Sequence, residues 1–312
     1  MSGRSLISLI MIVLPGLAAG AQAADTVGLL SMVSGTVQII RVGQKTPVPA
    51  RTADLIGAGD RVLTGRNSEA SFLSCAATKA GKILADSDVQ FKETGTQVRK
   101  GKIADERQVP SCRLPANLAL AGASQLQSGM MRLRGSNLLL RSPAYTQIAS
   151  LQPRFRWGPV DNAKMYDIKL LDREERILWR QTVSSTEAQY PAGAQALAWG
   201  QKYWWRVTAR DSEDTLTEAG AYFQVLPAEQ AEKVRATESS LRQMLEANPS
   251  ENGPRFLLAF LYEENGMLDE AARVYAELAD RMGPQEWIKT RLNDLMKKLG
   301  WDKPDSGKPD SG

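Results

Sequence analysis

The hydrophobic pattern of this chain changes period at Pro227, and that change rules out a single repeating architecture. Upstream, Phe155-x-Trp157, Tyr166-x-Ile168-x-Leu170, Ile177-x-Trp179 and Tyr203-x-Trp205-x-Val207-x-Ala209 alternate apolar and polar residues. A period of two marks strands with one buried face. Gly158-Pro159, Asp161-Asn162 and Trp199-Gly200 punctuate them as turns. Downstream the composition shifts to Ala, Glu, Leu, Arg and Met, and Leu241, Met244 and Leu245 recur at helical spacing up to Asn248-Pro249. Two helices, Phe256 to Glu264 and Leu268 to Met282, are predicted around the stop signal Asn265-Gly266, and a last one from about Gln285 to Leu299.

The stretch from Thr26 to about Phe91 is a further strand region. Val37 to Val42 is rich in β-branched residues, Ile83-Leu84 and Val89 to Phe91 follow, and Gly57, Gly59-Asp60 and Gly65 mark turns. Short strands of this kind suit a compact antiparallel or a solenoid-like β fold. The resulting fold class is multidomain: a β-rich unit, an all-β sandwich and C-terminal helical hairpins. The boundaries read as signal peptide 1–23, β domain 24–120, basic connector 121–142, sandwich 143–227, helices 228–300 and a disordered tail 301–312. That tail repeats Lys-Pro-Asp-Ser-Gly.

The first residues carry an export signal. Arg4 begins a positive segment, Leu6 to Ala19 is apolar, and Ala21-Gln22-Ala23 offers a small-x-small cleavage site, so cleavage is expected after Ala23. A retained anchor is the alternative, but the apolar run is short for a bilayer span and Pro15-Gly16 interrupts it. Export places Cys75 and Cys112 in an oxidising compartment, which favours a bond between them over two buried thiols.

The chain has 312 residues, a net charge of +4 and no histidine. The missing imidazole removes the usual general base, the usual metal ligand and every Ser/His or Cys/His pair. The acidic clusters Asp172/Glu174/Glu175 and Glu263/Glu264 fall in loop or helix-face patterns and read as solvated surface. Neither a catalytic set nor a cofactor or metal site is expected. The mild net charge gives no ground for a nucleic-acid partner, and no later segment is expected to span a membrane after signal cleavage.

Three resemblances refine this outline. Ser34-Gly35-Thr36-Val37-Gln38, then Leu55 to Gly65 with its Gly59-Asp60-Arg61-Val62-Leu63-Thr64-Gly65, then Asn67 to Phe72 and Leu84 to Val89 resemble a FecR-type periplasmic domain. Cys75 to Lys79 departs from that pattern. The resemblance implies an envelope module without implying sigma-factor control. From Pro143 to Leu226, Pro153-x-Phe155-x-Trp157, Ala163-x-x-Tyr166-x-Ile168-x-Leu170, Gly200-x-x-Tyr203-x-Trp205 and Tyr222 to Val225 resemble a fibronectin type III-like domain, which implies a sandwich with an aromatic core. From Asn252 to Gln285, Leu258-Ala259, Tyr262, Gly266, Ala271, Tyr275 and Leu278 fall on the positions of a tetratricopeptide repeat of about 34 residues. Arg255 and Gly283 depart from it. A single repeat is too short to stand alone, so it should lean on the sandwich or on a partner.

Candidate binding residues follow. Between Arg107 and Val160 there are seven arginines and no Asp or Glu. Arg132, Arg134 and Arg141 form a candidate patch for an anionic ligand, since a guanidinium fork pairs with phosphate or carboxylate; a solvated linker and edge strand is the alternative. Trp204 alternates with Trp205 and is either an exposed anchor or a contact with a neighbouring module. Phe256, Phe260 and Glu264 lie at i, i+4 spacing and line either a peptide groove or the preceding helix.

These features point to a non-enzymatic envelope binding and scaffold protein, periplasmic or at the cell surface. It would contact an acidic glycan or cell-wall polymer and an envelope protein, the latter through its helical repeat. A receptor-like part of a FecR-type signalling relay is the alternative, and a carboxylate-dependent glycan-active enzyme a further one.

Overall fold

A computed structural model describes residues 26–110, 112, 138–212, 214–283 and 285–301. The expected signal peptide, most of the connector and all of the tail except Trp301 lie outside these residues; Trp301 packs on the sandwich and so does not belong to a disordered tail.

The first unit holds ten strands in two facing sheets. One has the order β10-β7-β6-β1-β4, formed by β1 (Thr26–Ser34), β4 (Leu55–Gly57), β6 (Glu69–Ser74), β7 (Lys79–Ile83) and β10 (Ile103–Gln108). The other, β3-β2-β5-β8-β9, is formed by β2 (Val37–Ile40), β3 (Val48–Pro49), β5 (Arg61–Thr64), β8 (Asp88–Lys92) and β9 (Gly95–Lys100). Every pairing here is antiparallel, so the compact option holds and the solenoid-like one does not. Leu30, Phe72 and Ile83 meet Ile39, Val62 and Phe91 between the sheets, with Phe72 and Phe91 edge to face at 5.2 Å.

The polar residues at the turns of this unit tie its strands together. Asp60 is buried, and its carboxylate accepts hydrogen bonds from Arg41 Nη1 at 2.7 Å, Gly57 N at 2.8 Å and Val42 N at 2.9 Å. A buried carboxylate is tolerated when its lone pairs are filled in this way. Thr64 Oγ1 accepts from Ser87 N at 2.9 Å and donates to Leu84 O at 2.5 Å. Gly35 turns at φ +76°, where a Cβ would meet Ser68 Oγ at 2.5 Å, so glycine is required there on two counts.

The second unit is a sandwich of a three-stranded sheet, β11-β13-β16, and a five-stranded sheet, β12-β18-β17-β14-β15. Its strands are β11 (Leu140–Ser142), β12 (Thr146–Ile148), β13 (Arg154–Trp157), β14 (Met165–Leu171), β15 (Ile177–Val183), β16 (Glu187–Gln189), β17 (Lys202–Arg210) and β18 (Thr215–Val225). β12 runs parallel to β18 and the other pairs are antiparallel. Period-two alternation turns Phe155 and Trp157 inward against Trp205 and Phe223, with ring centroids 5.0 to 6.4 Å apart. The Trp205 indole N–H donates to Pro143 O at 2.6 Å, which satisfies a polar group inside an otherwise apolar core. The sandwich begins earlier than the sequence pattern suggests. Leu138 and Leu140 are buried in its core, so residues 138–142 belong to it and not to the connector.

Among the described residues four helices follow: α1 (Ala228–Ala247), α2 (Gly253–Glu264), α3 (Leu268–Met282) and α4 (Glu286–Leu299). Successive helices pack on one another, and their shared core also takes in Leu29, Leu73, Cys75 and Ala80 from the first unit and Ala149 and Leu226 from the sandwich. The helices therefore touch both β units. A Cβ on Gly253, at the start of α2, would lie 3.2 to 3.3 Å from Leu73 and Ser31, which shows how closely α2 approaches β1 and β6. An ion pair between Arg107 and Glu251 flanks this contact. Among the described residues no helix is long and apolar enough to cross a membrane.

Candidate functional site

The junction between sandwich and helices is built on one threonine. Thr146 Oγ1 accepts a hydrogen bond from Leu268 N at 2.8 Å, one of the amides that the start of α3 leaves without a helical partner. The same hydroxyl donates to Asp269 Oδ1 at 2.9 Å, and Ser142 Oγ donates to Asp269 Oδ2 at 2.6 Å. Gln147 N donates to Gly266 O at 2.9 Å. Asp269 is fully buried, and desolvation raises its carboxyl above the ordinary value of 3.8, against the opposing pull of these hydroxyls and of Arg273. The edge strand β12 of the five-stranded sheet is thus hydrogen-bonded to the first turn of a helix more than a hundred residues away.

Beside this junction lies a cleft of about 270 Å³. Arg154 and Arg156 of β13 form one wall, since alternation turns them away from the core that Phe155 and Trp157 fill. Arg235 and Glu238 of α1, Tyr262 of α2, and Asp269 and Glu270 of α3 form the other. Glu238 accepts from Arg242 Nε and from the Tyr262 hydroxyl, each at 2.8 Å. Glu270 is paired with Arg273. Burial, and then the neighbouring positive charge of Arg156, lower the pKa of Arg273. Arg235 stacks over the ring of Trp199, 5.3 Å from its centroid.

The residues singled out from the sequence fall in different places. Cys75 and Cys112 form a disulfide, with Cα atoms 4.9 Å apart, and Cys75 sits in the core shared with the helices. Arg132 and Arg134 lie outside the described residues. Arg141 is exposed on β11 and stacks on Trp301 at 5.9 Å, so it faces the end of α4 and is not among the residues lining the cleft. Trp204 points outward, 37% exposed, and its cross-strand neighbour Tyr222 is covered by Lys202 Nζ at 4.4 Å.

The groove expected along Phe256, Phe260 and Glu264 requires correction. Phe256 is completely buried, 5.6 Å from Trp287 and 6.4 Å from Phe260. Trp287 of α4 covers the face that a groove would leave open, while Glu264 stays exposed. The i, i+4 aromatic stripe is core because a further helix follows it.

Of the cleft residues, Arg154 and Arg156 stand in the acid-free arginine stretch, and the alternation Arg154-Phe155-Arg156-Trp157 puts both on one face. Arg235, Glu238 and Asp269 carry no comparable signal, since charges on helix faces are ordinarily solvated. Among the described residues no group of three acidic, Cys or His side chains is placed to hold a metal ion.

Fold and site together define a β-rich protein of two two-sheet units held by a helical layer, with an arginine-walled cleft at one junction. No protein-family profile matches the chain. No curated protein matches it either. Among solved structures it is similar to CopC from Methylosinus trichosporium OB3b, at 22% identity and a TM-score of 0.22 over 29% of this chain and 94% of that one. It is also similar to the FN1–FN3 domains of chicken CNTN1, at 12% identity and a TM-score of 0.20 over 64% of this chain and 55% of that one. A β-1,2-glucanase from Parabacteroides distasonis follows, at 12% identity and a TM-score of 0.26 over 89% of this chain and 61% of that one. Likenesses of this size assign neither a fold family nor an activity.

Proposed function

We propose that this chain is an exported, non-catalytic binding and scaffold protein of the bacterial envelope. In this reading its units are a FecR-like module, a fibronectin III-like sandwich and a tetratricopeptide-like helical layer that acts as an internal brace. The Cys75–Cys112 disulfide supports residence in an oxidising compartment. The observation that carries a binding role is the outward face of the five-stranded sheet. There Trp204, Tyr222 and Lys202 stand together on paired strands, while the helical aromatics are consumed as core. An outward tryptophan beside a tyrosine and a cation has the composition of an interface anchor. The protein partner is accordingly sought on this face and not along α2.

A photo-crosslinking residue placed at Trp204 should trap one envelope protein in living cells. The same residue at Val98, which is 45% exposed on β9 of the first unit, serves as the control and should trap none. No adduct at either position, or equal adducts at both, would remove this face from the proposal. N-terminal sequencing of the mature protein tests export, with the chain expected to begin after Ala23.

A further inference from the structure

The cleft carries three guanidinium groups that no described carboxylate neutralises. Arg156 Nε is buried and has no hydrogen-bond partner among the described residues. Among the described residues Arg154 reaches only the amide oxygen of Gln189, at 3.3 Å. Arg235 has the Trp199 ring beneath it. The acids of the cleft are engaged elsewhere: Glu238 with Arg242 and Tyr262, Glu270 with Arg273, and Asp269 with two hydroxyls. Arg273 adds a second positive charge close to Arg156. A desolvated guanidinium nitrogen without an acceptor, next to a like charge, is an unfavourable arrangement. An oxyanion bound beside Arg156 supplies the missing acceptor and offsets the like charge.

We propose that this cleft binds an oxyanion, a carboxylate or phosphate, borne by a unit of about monosaccharide size, with Arg156 as inner anchor and Arg154 and Arg235 at the rim. The volume of about 270 Å³ sets the size, since it falls just below the usual ~300–1,000 Å³ of small-molecule sites and admits one ring or one headgroup. The fork geometry of arginine suits either oxyanion bidentately. The inference rests on the binding role proposed above but concerns a different face. It is tested on the purified chain alone, so its failure is separate from that of the Trp204 interface.

Isothermal titration of the full chain with sodium galacturonate, inorganic phosphate and galactose decides it. At least one anion should bind, galactose should not, and added salt should weaken the binding. Preference for galacturonate identifies an acidic sugar, and preference for phosphate a phosphate group. Arg156→Met should weaken binding at least about tenfold, as loss of a charge-assisted hydrogen bond implies. Arg156→Lys should fall between the two, because it keeps the charge and loses the fork. Arg235→Met, an exposed change, provides the second variant should Arg156→Met fail to fold. Absence of binding by either anion, equal binding of galactose, or affinity unchanged in both Met variants would overturn the proposal.

Discussion

Replacing Thr146 with Val removes one oxygen from the junction and almost nothing else. The side chain stays β-branched and of similar volume, so the packing of β12 against β18 is retained. Two polar groups lose a partner: the Leu268 amide loses its acceptor at 2.8 Å, and Asp269 loses one of its two hydroxyl donors, at 2.9 Å. All three residues are buried. An unsatisfied buried group costs about 1–3 kcal/mol, so the pair should cost about 2–6 kcal/mol of stability. Urea unfolding followed by tryptophan fluorescence measures this directly. Thr146→Ser should recover most of the loss by restoring the hydroxyl. Thr182→Val should have little effect, because the Thr182–Asp167 hydrogen bond is exposed. Hydrogen exchange should show the Leu268 amide opening before the strands of the sandwich do. A loss below about 0.5 kcal/mol would mean that water replaces the hydroxyl, against the burial of these three residues.

Further expectations follow from other contacts. Asp269 has a raised carboxyl pKa, so the native state holds its proton more tightly than the unfolded chain. Its contribution to stability is therefore present below the ordinary value of 3.8 and lost as pH rises through the raised folded-state value. Asp269→Asn should flatten that part of the stability–pH curve, and an unchanged curve would show that the group is solvated. Changing Cys75 and Cys112 together to Ser removes a crosslink with a sequence separation of 37, which should cost about 4 kcal/mol on the chain-entropy account; urea midpoints with and without reductant check this. Gly253→Val should destabilise by about 1–3 kcal/mol because Leu73 and Ser31 cannot both retreat, which thermal unfolding would show.

Much of this architecture was legible because each element carries its own period. The aromatic alternation put Trp205 inside and Trp204 outside, as found. Asn265-Gly266 ended α2 where expected, since glycine takes the positive φ of 64° that closes the turn. The layer-to-layer contacts were not legible, because a helical stripe shows which residues share a face and not what covers it. Phe256 and Phe260 read equally well as groove or core until Trp287 was seen to occupy the space. Leu138 to Leu140 lie in an arginine-rich stretch, where three apolar residues without alternation do not announce a strand. Asp269 is by sequence an acid in the first turn of a helix, a position favoured by the helix dipole, and nothing local marks it as buried. Its burial comes from the sandwich, which lies far off in sequence. The cleft was half visible, through Arg154 and Arg156, and half hidden on helices whose charges carry no period of their own.

The indole N–H of Trp301 donates to Leu140 O at 3.1 Å, joining residues 161 apart. That contact has a consequence for the order in which the protein assembles. The two β units are joined through a core that they share with the helices, and those helices follow both units in the chain. A stop before α2 should therefore leave the two β units without the layer that joins them, so the late part of the chain acts as the latch on its middle.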